Sequence, residues 1–289
     1  GALARFWEMR ARFLEGSRWL EAALRQSDRV DAATTDSATR ARFLSEAGTF
    51  AWHRGEYEQA TAFHGEALEL YRQVGDDSGV AFALICLGTQ RLENSDYERA
   101  APLYEEALAI SRRIGDRPNI AMAIRSLAEV ARQRGEYERA KKLGMECLSL
   151  YQEMTDQFNI ATTVGWLGLL TVWSGDEHDL AEGFLKEGLA LNREIGNWAY
   201  GVYCLEGFAG LAGARGQGVR AARLWGAAEA LRESIGAPPT PEARPYYERS
   251  MAAAGAQLGE AEWEAAFAQG MAMSPEEAAE YSLREGDHA

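Results

Sequence analysis

The sequence predicts an all-α solenoid built from antiparallel helix pairs, and three observations carry that expectation. One phrase returns at an interval of 40 residues, as "RGEYEQA" (54–60), "NSDYERA" (94–100) and "RGEYERA" (134–140), with Tyr57, Tyr97 and Tyr137 in step. Within each interval the apolar residues recur every three or four positions, the period of a helix with one buried face. Turn-forming residues punctuate each interval twice, inside it ("RGEY", "NSDY") and at its end ("VGDD", "IGDR", "IGNW"), as two helices per unit require.

Residues 1–38 are expected to form a partial unit. "MRARFLEG" (9–16) aligns with "HRGEYEQA" (53–60) at an offset of 44, which puts Phe13 in the tyrosine's place and starts the chain near the end of a first helix. Five units follow over 39–236. Leu44, Ala47, Gly48 and Ala60 superimpose on Leu84, Leu87, Gly88 and Ala100, then on Ile124, Leu127, Ala128 and Ala140. A fourth copy carries Val164, Leu167, Gly168 and Ala181 after one inserted residue, and a fifth carries Leu205, Phe208, Ala209 and Ala221. Small residues at the Gly48 and Ala60 positions let the two helices of a pair approach closely, and the tyrosine is expected to wedge between them. Gly or Asn supplies the unusual backbone angle in the inner turn, and an acidic residue opens the second helix, where the helix dipole favours it. At the outer turn Gly ends the second helix and Asp or Asn caps the next first helix.

After Gly236 the composition changes. Pro238, Pro239, Pro241 and Pro245 break the last long helix, and three shorter helical patterns fill 237–289. "SPEE" opens the last of them, with Ser at the N-cap, Pro at the first position and two acids in the first turn. This block is expected to cap the exposed end of the array.

The pattern resembles the tetratricopeptide repeat. Leu84, Leu87, Gly88, Ala100 and Tyr104 occupy signature positions, while the period of 40 and the missing late proline depart from the 34-residue form and lengthen the second helix. The resemblance implies a right-handed superhelix with the first helix of each pair lining its concave surface. One hairpin cannot bury its own apolar face, so each repeat uses its neighbour as the other half of its core.

By register the groove would be lined by Arg42, Phe82, Met122, Thr162 and Tyr203, by Thr49, Thr89, Glu129 and Leu169, and by Trp52, Leu92, Arg132 and Val172, with Arg125, Gln133 and Trp173 between. Arg42, Trp52, Phe82, Arg125, Glu129, Arg132, Trp173 and Tyr203 are the candidate binding residues, since arginine and aromatic side chains dominate binding hot spots. The same tryptophans could instead complete packing between repeats, with the arginines paired to Glu93 or Glu129. Near Gly207, Gly210 and Gly213 the register allows either a close backbone approach or loose packing.

With 47% hydrophobic and 26% charged residues the chain has the composition of a folded soluble protein. Its formal charge of −14 opposes a phosphate-backbone partner and an anionic membrane surface. No apolar stretch reaches the ~20 residues of a membrane span, and a cytoplasmic location is expected. Cys86, Cys147 and Cys204 suggest neither a disulfide framework nor a metal site, and His53, His64, His178 and His288 lack metal-ligand spacing, though His53 and His64 fall close enough to approach. There is no phosphate-cradling G-x4-GK[ST] loop, and no nucleophile paired with a base stands out. Neither enzyme activity nor a cofactor is expected.

A second resemblance is carried by residues 220–283, "RAARLWGAAEALRESIGAPPTPEARPYYERSMAAAGAQLGEAEWEAAFAQGMAMSPEEAAEYSL", together with the long repeats and the "ARFWEMRARFLEGSRWLEAAL" opening. It is similar to the sensor region of bacterial STAND-type ATPases and LuxR-related regulators. That implies an upstream nucleotide-binding module in the intact protein, a protein, peptide or small-molecule inducer bound by the repeats, and a binding event that shifts the regulator from an inhibited to an active state. A free-standing adaptor that scaffolds a protein complex is the alternative from a different class.

Overall fold

The computed structural model describes residues 36–175, 177–236 and 244–284. The partial unit expected over 1–35, the prolines at 238, 239 and 241, His288, and the side chains of His53 and Glu93 lie outside the described residues. So do the expected approach of His53 to His64 and the pairing of an arginine with Glu93.

Thirteen helices and no strand are found among the described residues, and they fall into two compact units, 1–130 and 131–289. The first holds α1 (Ser37–His53), α2 (Tyr57–Val74), α3 (Asp77–Glu93), α4 (Tyr97–Ile114) and most of α5 (Arg117–Gln133). The second continues with α6 (Tyr137–Glu153), α7 (Gln157–Ser174), α8 (His178–Glu194), α9 (Trp198–Ala214) and α10 (Gly218–Ile235). Three shorter helices complete it: α11 (Arg244–Gly255), α12 (Glu260–Met271) and α13 (Pro275–Leu283).

Local chemistry sets the boundaries. Asp76, Asp96 and Asp156 cap α3, α4 and α7, each accepting a hydrogen bond from the backbone N–H three residues on, and Asp116 does the same for Asn119. Gly75 and Gly115 end α2 and α4 in the left-handed conformation, as the outer turns predicted. Ser274 and Glu277 close a capping box at the start of α13. One expectation is corrected at the inner turn. In "NSDY" the left-handed residue is Ser95 (φ 57°), in register with Gly55 and Gly135, while Asn94 stays at φ −88° and its amide donates to the Gln90 carbonyl.

The interior repeats with the sequence. Leu44, Leu84, Ile124, Val164 and Leu205 are all at most 2% exposed, each contributing roughly 1.5–3 kcal/mol by burial. Ala60, Ala100, Ala140 and Ala181 are fully buried. The tyrosine wedge holds only in part: Tyr57, the first residue of α2, is 48% exposed, whereas Tyr97 is half-buried and Tyr137 is half-buried and packs against Ala131, Ala140 and Leu170. The side chain inserted between paired helices stands seven residues on: His64 against Gly48, Tyr104 against Gly88 and Leu185 against Gly168. A methyl group added to Gly48 or Gly88 would lie 2.6 Å from that ring. In the next copy this position is Gly144, and Trp166 and Leu167 of α7 fill the space over it.

In the second unit the first helices are more deeply buried. Among residues 160–172 of α7 only Trp166 keeps appreciable exposure, so Thr162, Leu169 and Val172, expected to line a groove, are at most 9% exposed. The glycines of α9 account for part of this. Gly210 lies under Tyr246 and Val172, and Gly213 lies under Ala254, so α11 packs directly on α9 where side chains would otherwise hold it off. The helices α10 and α12 touch backbone to backbone at Gly226 and Gly270, where an added methyl would stand 2.1 Å and 1.9 Å from carbonyl oxygens of the facing helix. Arg220 of α10 donates to the Ser282 and Arg284 carbonyls and holds the end of α13.

Candidate recognition surface

Five of the eight candidate residues lie in the first unit. Arg42 on α1 is exposed; Trp52 on α1, Phe82 on α3, and Arg125 and Glu129 on α5 are half-buried. All stand on first helices of a pair. Beneath Trp52 is a cavity of about 100 Å3. Thr49 and Trp52 form one wall, Cys86, Thr89 and Ile85 another, Met122 closes a third, and His64 and Gln90 form the floor.

The floor is polar and buried. His64 is 2% exposed and Gln90 is 4% exposed. The Gln90 Nε2 lies 2.9 Å from His64 Nδ1 and donates to it when that nitrogen is unprotonated. Burial pushes the His64 pKa down to about 4, against the raising influence of the Ser45 and Ala60 carbonyls, so the imidazole is neutral at physiological pH. Burial likewise pushes the Cys86 thiol up to about 12. The side wall is fixed by its own hydrogen bonds: the Thr49 and Thr89 hydroxyls donate to the carbonyls one turn back, and Tyr104 donates to Thr89.

Sequence reasoning placed Thr49, Trp52, Thr89 and Met122 on this face but missed the floor. The signal was present. Aligned on the 40-residue period, Gln90 occupies a column otherwise filled by Phe50, Val130, Leu170 and Leu211, every one of them buried. A single amide in an apolar column marks a departure from packing alone.

The other three candidates belong to the second unit, where they are half-buried and packed against the chain's own side chains. Arg132 stacks over Trp173 at 4.7 Å, and Trp173 packs against Tyr246 of α11 at 4.5 Å. Tyr203 lies under the Arg232 guanidinium at 5.1 Å. Here the packing role of the tryptophan and arginine, left open by the sequence, is the one the structure displays. Below them is a buried network. Glu206 (2% exposed) pairs in two-pronged fashion with Arg232 (5% exposed), at 2.5 and 3.0 Å, and the Tyr247 hydroxyl donates to Glu206 at 2.6 Å. Burial pushes the Glu206 carboxyl up, and the bonds from Arg232 and Tyr247 oppose it. Burial also works against the Arg232 charge, and the facing carboxylate outweighs that and raises its pKa. Tyr247, which burial and Glu206 hold protonated, brings α11 down onto this pair.

Among the described residues no group of three His, Cys, Asp or Glu side chains is placed to hold a metal ion, and no helix is long and apolar enough to cross a membrane.

Comparison with known proteins identifies repeats in part of the chain. Residues 79–153 and residues 40–74 each match a tetratricopeptide repeat model. No curated protein sequence matches the chain. Among solved structures, BtubC (BKLC) from P. vanneervenii is 21% identical with a TM-score of 0.59, over 80% of this chain and 94% of that one. A Rap protein complexed with Competence and Sporulation Factor is 16% identical with a TM-score of 0.63, over 88% and 74%. The Rap conjugation gene regulator of the plasmid pLS20, solved in complex with a Phr peptide, is 14% identical with a TM-score of 0.62, over 89% and 74%. At these identities the likeness establishes the fold, an all-α array of helix pairs. The chain therefore carries tetratricopeptide repeats over residues 40–74 and 79–153.

Proposed function

We propose that the chain is a non-catalytic recognition domain that binds an extended peptide or protein segment on the first-helix face of its N-terminal unit, and that it serves a bacterial STAND-type regulator in the cytoplasm. The observation that carries this reading is the contrast between the units. Half-buried Trp52 and Met122 line a cavity in one, with Phe82, Arg125 and Glu129 half-buried on the same first helices, whereas in the other α11 packs against Trp173 and onto α9. An aromatic and arginine cluster of this kind supplies binding energy through a few anchors, with the surrounding contacts excluding water. Two of the structural neighbours, both Rap proteins, were solved with a bound factor or peptide, which supports a peptide-like partner here. In the intact protein the binding event would favour one of two states of an upstream nucleotide-binding module.

The test is selection from an unbiased peptide library on the immobilised chain, followed by calorimetric titration of the selected peptides. The expected result is binding to the parent that weakens at least tenfold in Trp52→Ala and in Arg125→Glu, with folding checked by circular dichroism. Peptides that bind both variants as tightly as the parent would refute the assignment of the face.

A further inference from the structure

The cavity beneath Trp52 has a feature that helix packing does not require. The Gln90 carboxamide spends one N–H on His64 Nδ1, and no described residue donates to its Oε1, although that oxygen is buried. Buried amide oxygens are nearly always satisfied, and a phenylalanine, valine or leucine fills this position in other repeats. The walls around it are apolar and soft: the Trp52 ring, Ile85, and the sulfur-bearing Cys86 and Met122, which suit the edge of an aromatic ring. An apolar cavity of roughly 150 Å3 takes up a whole benzene molecule. One of about 100 Å3, open on one side, admits the end of a ring whose stem stays outside.

From this we infer that the cavity is a subsite for one uncharged aromatic side chain of the partner that ends in a hydrogen-bond donor, as the phenol of tyrosine does, with Gln90 Oε1 as the acceptor. Oε1 is covered from solvent, and a small change in the terminal amide torsion, within what the Nε2–His64 hydrogen bond tolerates, presents it to the ring. The neutral, desolvated His64 behind it excludes a charged end group, since no counter-charge lines the floor. The Thr49 and Thr89 hydroxyls already donate to backbone carbonyls and do not compete for Oε1.

This subsite rests on the groove reading above, but its test does not. The probes are p-cresol and toluene, alike in shape and differing in the donor, titrated against the intact chain while the methionine methyl resonances are followed; Met122→Leu assigns the reporting signal. Both probes should shift the Met122 methyl, with p-cresol binding about five- to tenfold tighter, the worth of one net hydrogen bond. Gln90→Leu should erase that preference and leave toluene binding. Equal affinity of the two probes for the parent, or no shift at Met122 from either, overturns the inference without reference to any variant. Competition separates the two readings. If selected peptides bind the face yet do not displace p-cresol, the subsite is wrong and the groove stands; if p-cresol binds through Gln90 and no groove-dependent peptide is found, the reverse holds.

Discussion

Protonating His64 should loosen the first two helix pairs. The imidazole lies between α1 and α2, facing Gly48 across the crossing and Gln90 on α3, and burial pushes its pKa from 6.5 down to about 4. Because the unfolded chain binds the proton more readily, stability is full above pH 6.5 and is lost as the pH falls toward 4. With those two values the loss between pH 7.5 and pH 4.5 is about 2–3 kcal/mol, from RT ln of the ratio of the two binding polynomials. A repeat array need not unfold in one step, so the readout has to be local. Urea unfolding followed through the resonance of 5-fluorotryptophan at Trp52, assigned with Trp52→Phe, provides it. Carboxylates also titrate in this window, and His64→Leu controls for them, with Leu185 opposite Gly168 showing that leucine fits such a site. The parent should lose about 2–3 kcal/mol more than the variant between the two pH values. Equal losses, or an imidazole that titrates near 6.5, would refute the reasoning.

Arg232→Met strands the Glu206 carboxylate in the second unit and should cost about 3–5 kcal/mol, whereas the double variant Glu206→Leu/Arg232→Met should recover much of it; urea unfolding of both checks this. Hydrogen exchange in α11 should rise in the double variant, since Tyr247 loses its Glu206 acceptor. Gly270→Ala drives a methyl into the Arg223 carbonyl and should destabilise α12 by about 1–3 kcal/mol or more, while Gly183→Ala, exposed on α8 with open space around it, should be neutral or stabilising by up to ~1 kcal/mol in the same thermal scan. Ser95→Gly relieves a left-handed serine and should stabilise the first unit by roughly 1 kcal/mol, read by the Trp52 resonance in urea.

What the sequence made legible was whatever the period repeats. Turn glycines, capping aspartates and the buried Leu44, Leu84, Ile124, Val164 and Leu205 column recur every 40 residues, and local chemistry dictates each. The two misplacements were also local. Asn94 was preferred to Ser95 for the left-handed position on propensity, yet the turn's own hydrogen bonds set the register, with Asp96 N–H donating to the Arg91 carbonyl. The repeated tyrosine is conspicuous because it opens a helix, while the wedge varies as His64, Tyr104, Gly144 and Leu185 and so escaped notice. The covered face of the second unit was not legible at all. Tyr247 reaches Glu206 from 41 residues away through a segment that does not repeat, and nothing in the period of α9 announces α11 except glycines that fit a close approach or loose packing equally. The buried position of Arg232 could have been suspected, since its column holds Tyr71, Ser111, Tyr151 and Asn192, a polar residue in every copy.

The most direct test of recognition by the N-terminal unit is amide hydrogen exchange on the intact chain, with and without a peptide drawn from the library selection. Binding on the first-helix face should slow exchange in α1, α3 and α5, which carry Trp52, Phe82 and Arg125, and leave α11 unchanged. Protection confined to α2 and α4, or appearing only in α11, would contradict the account.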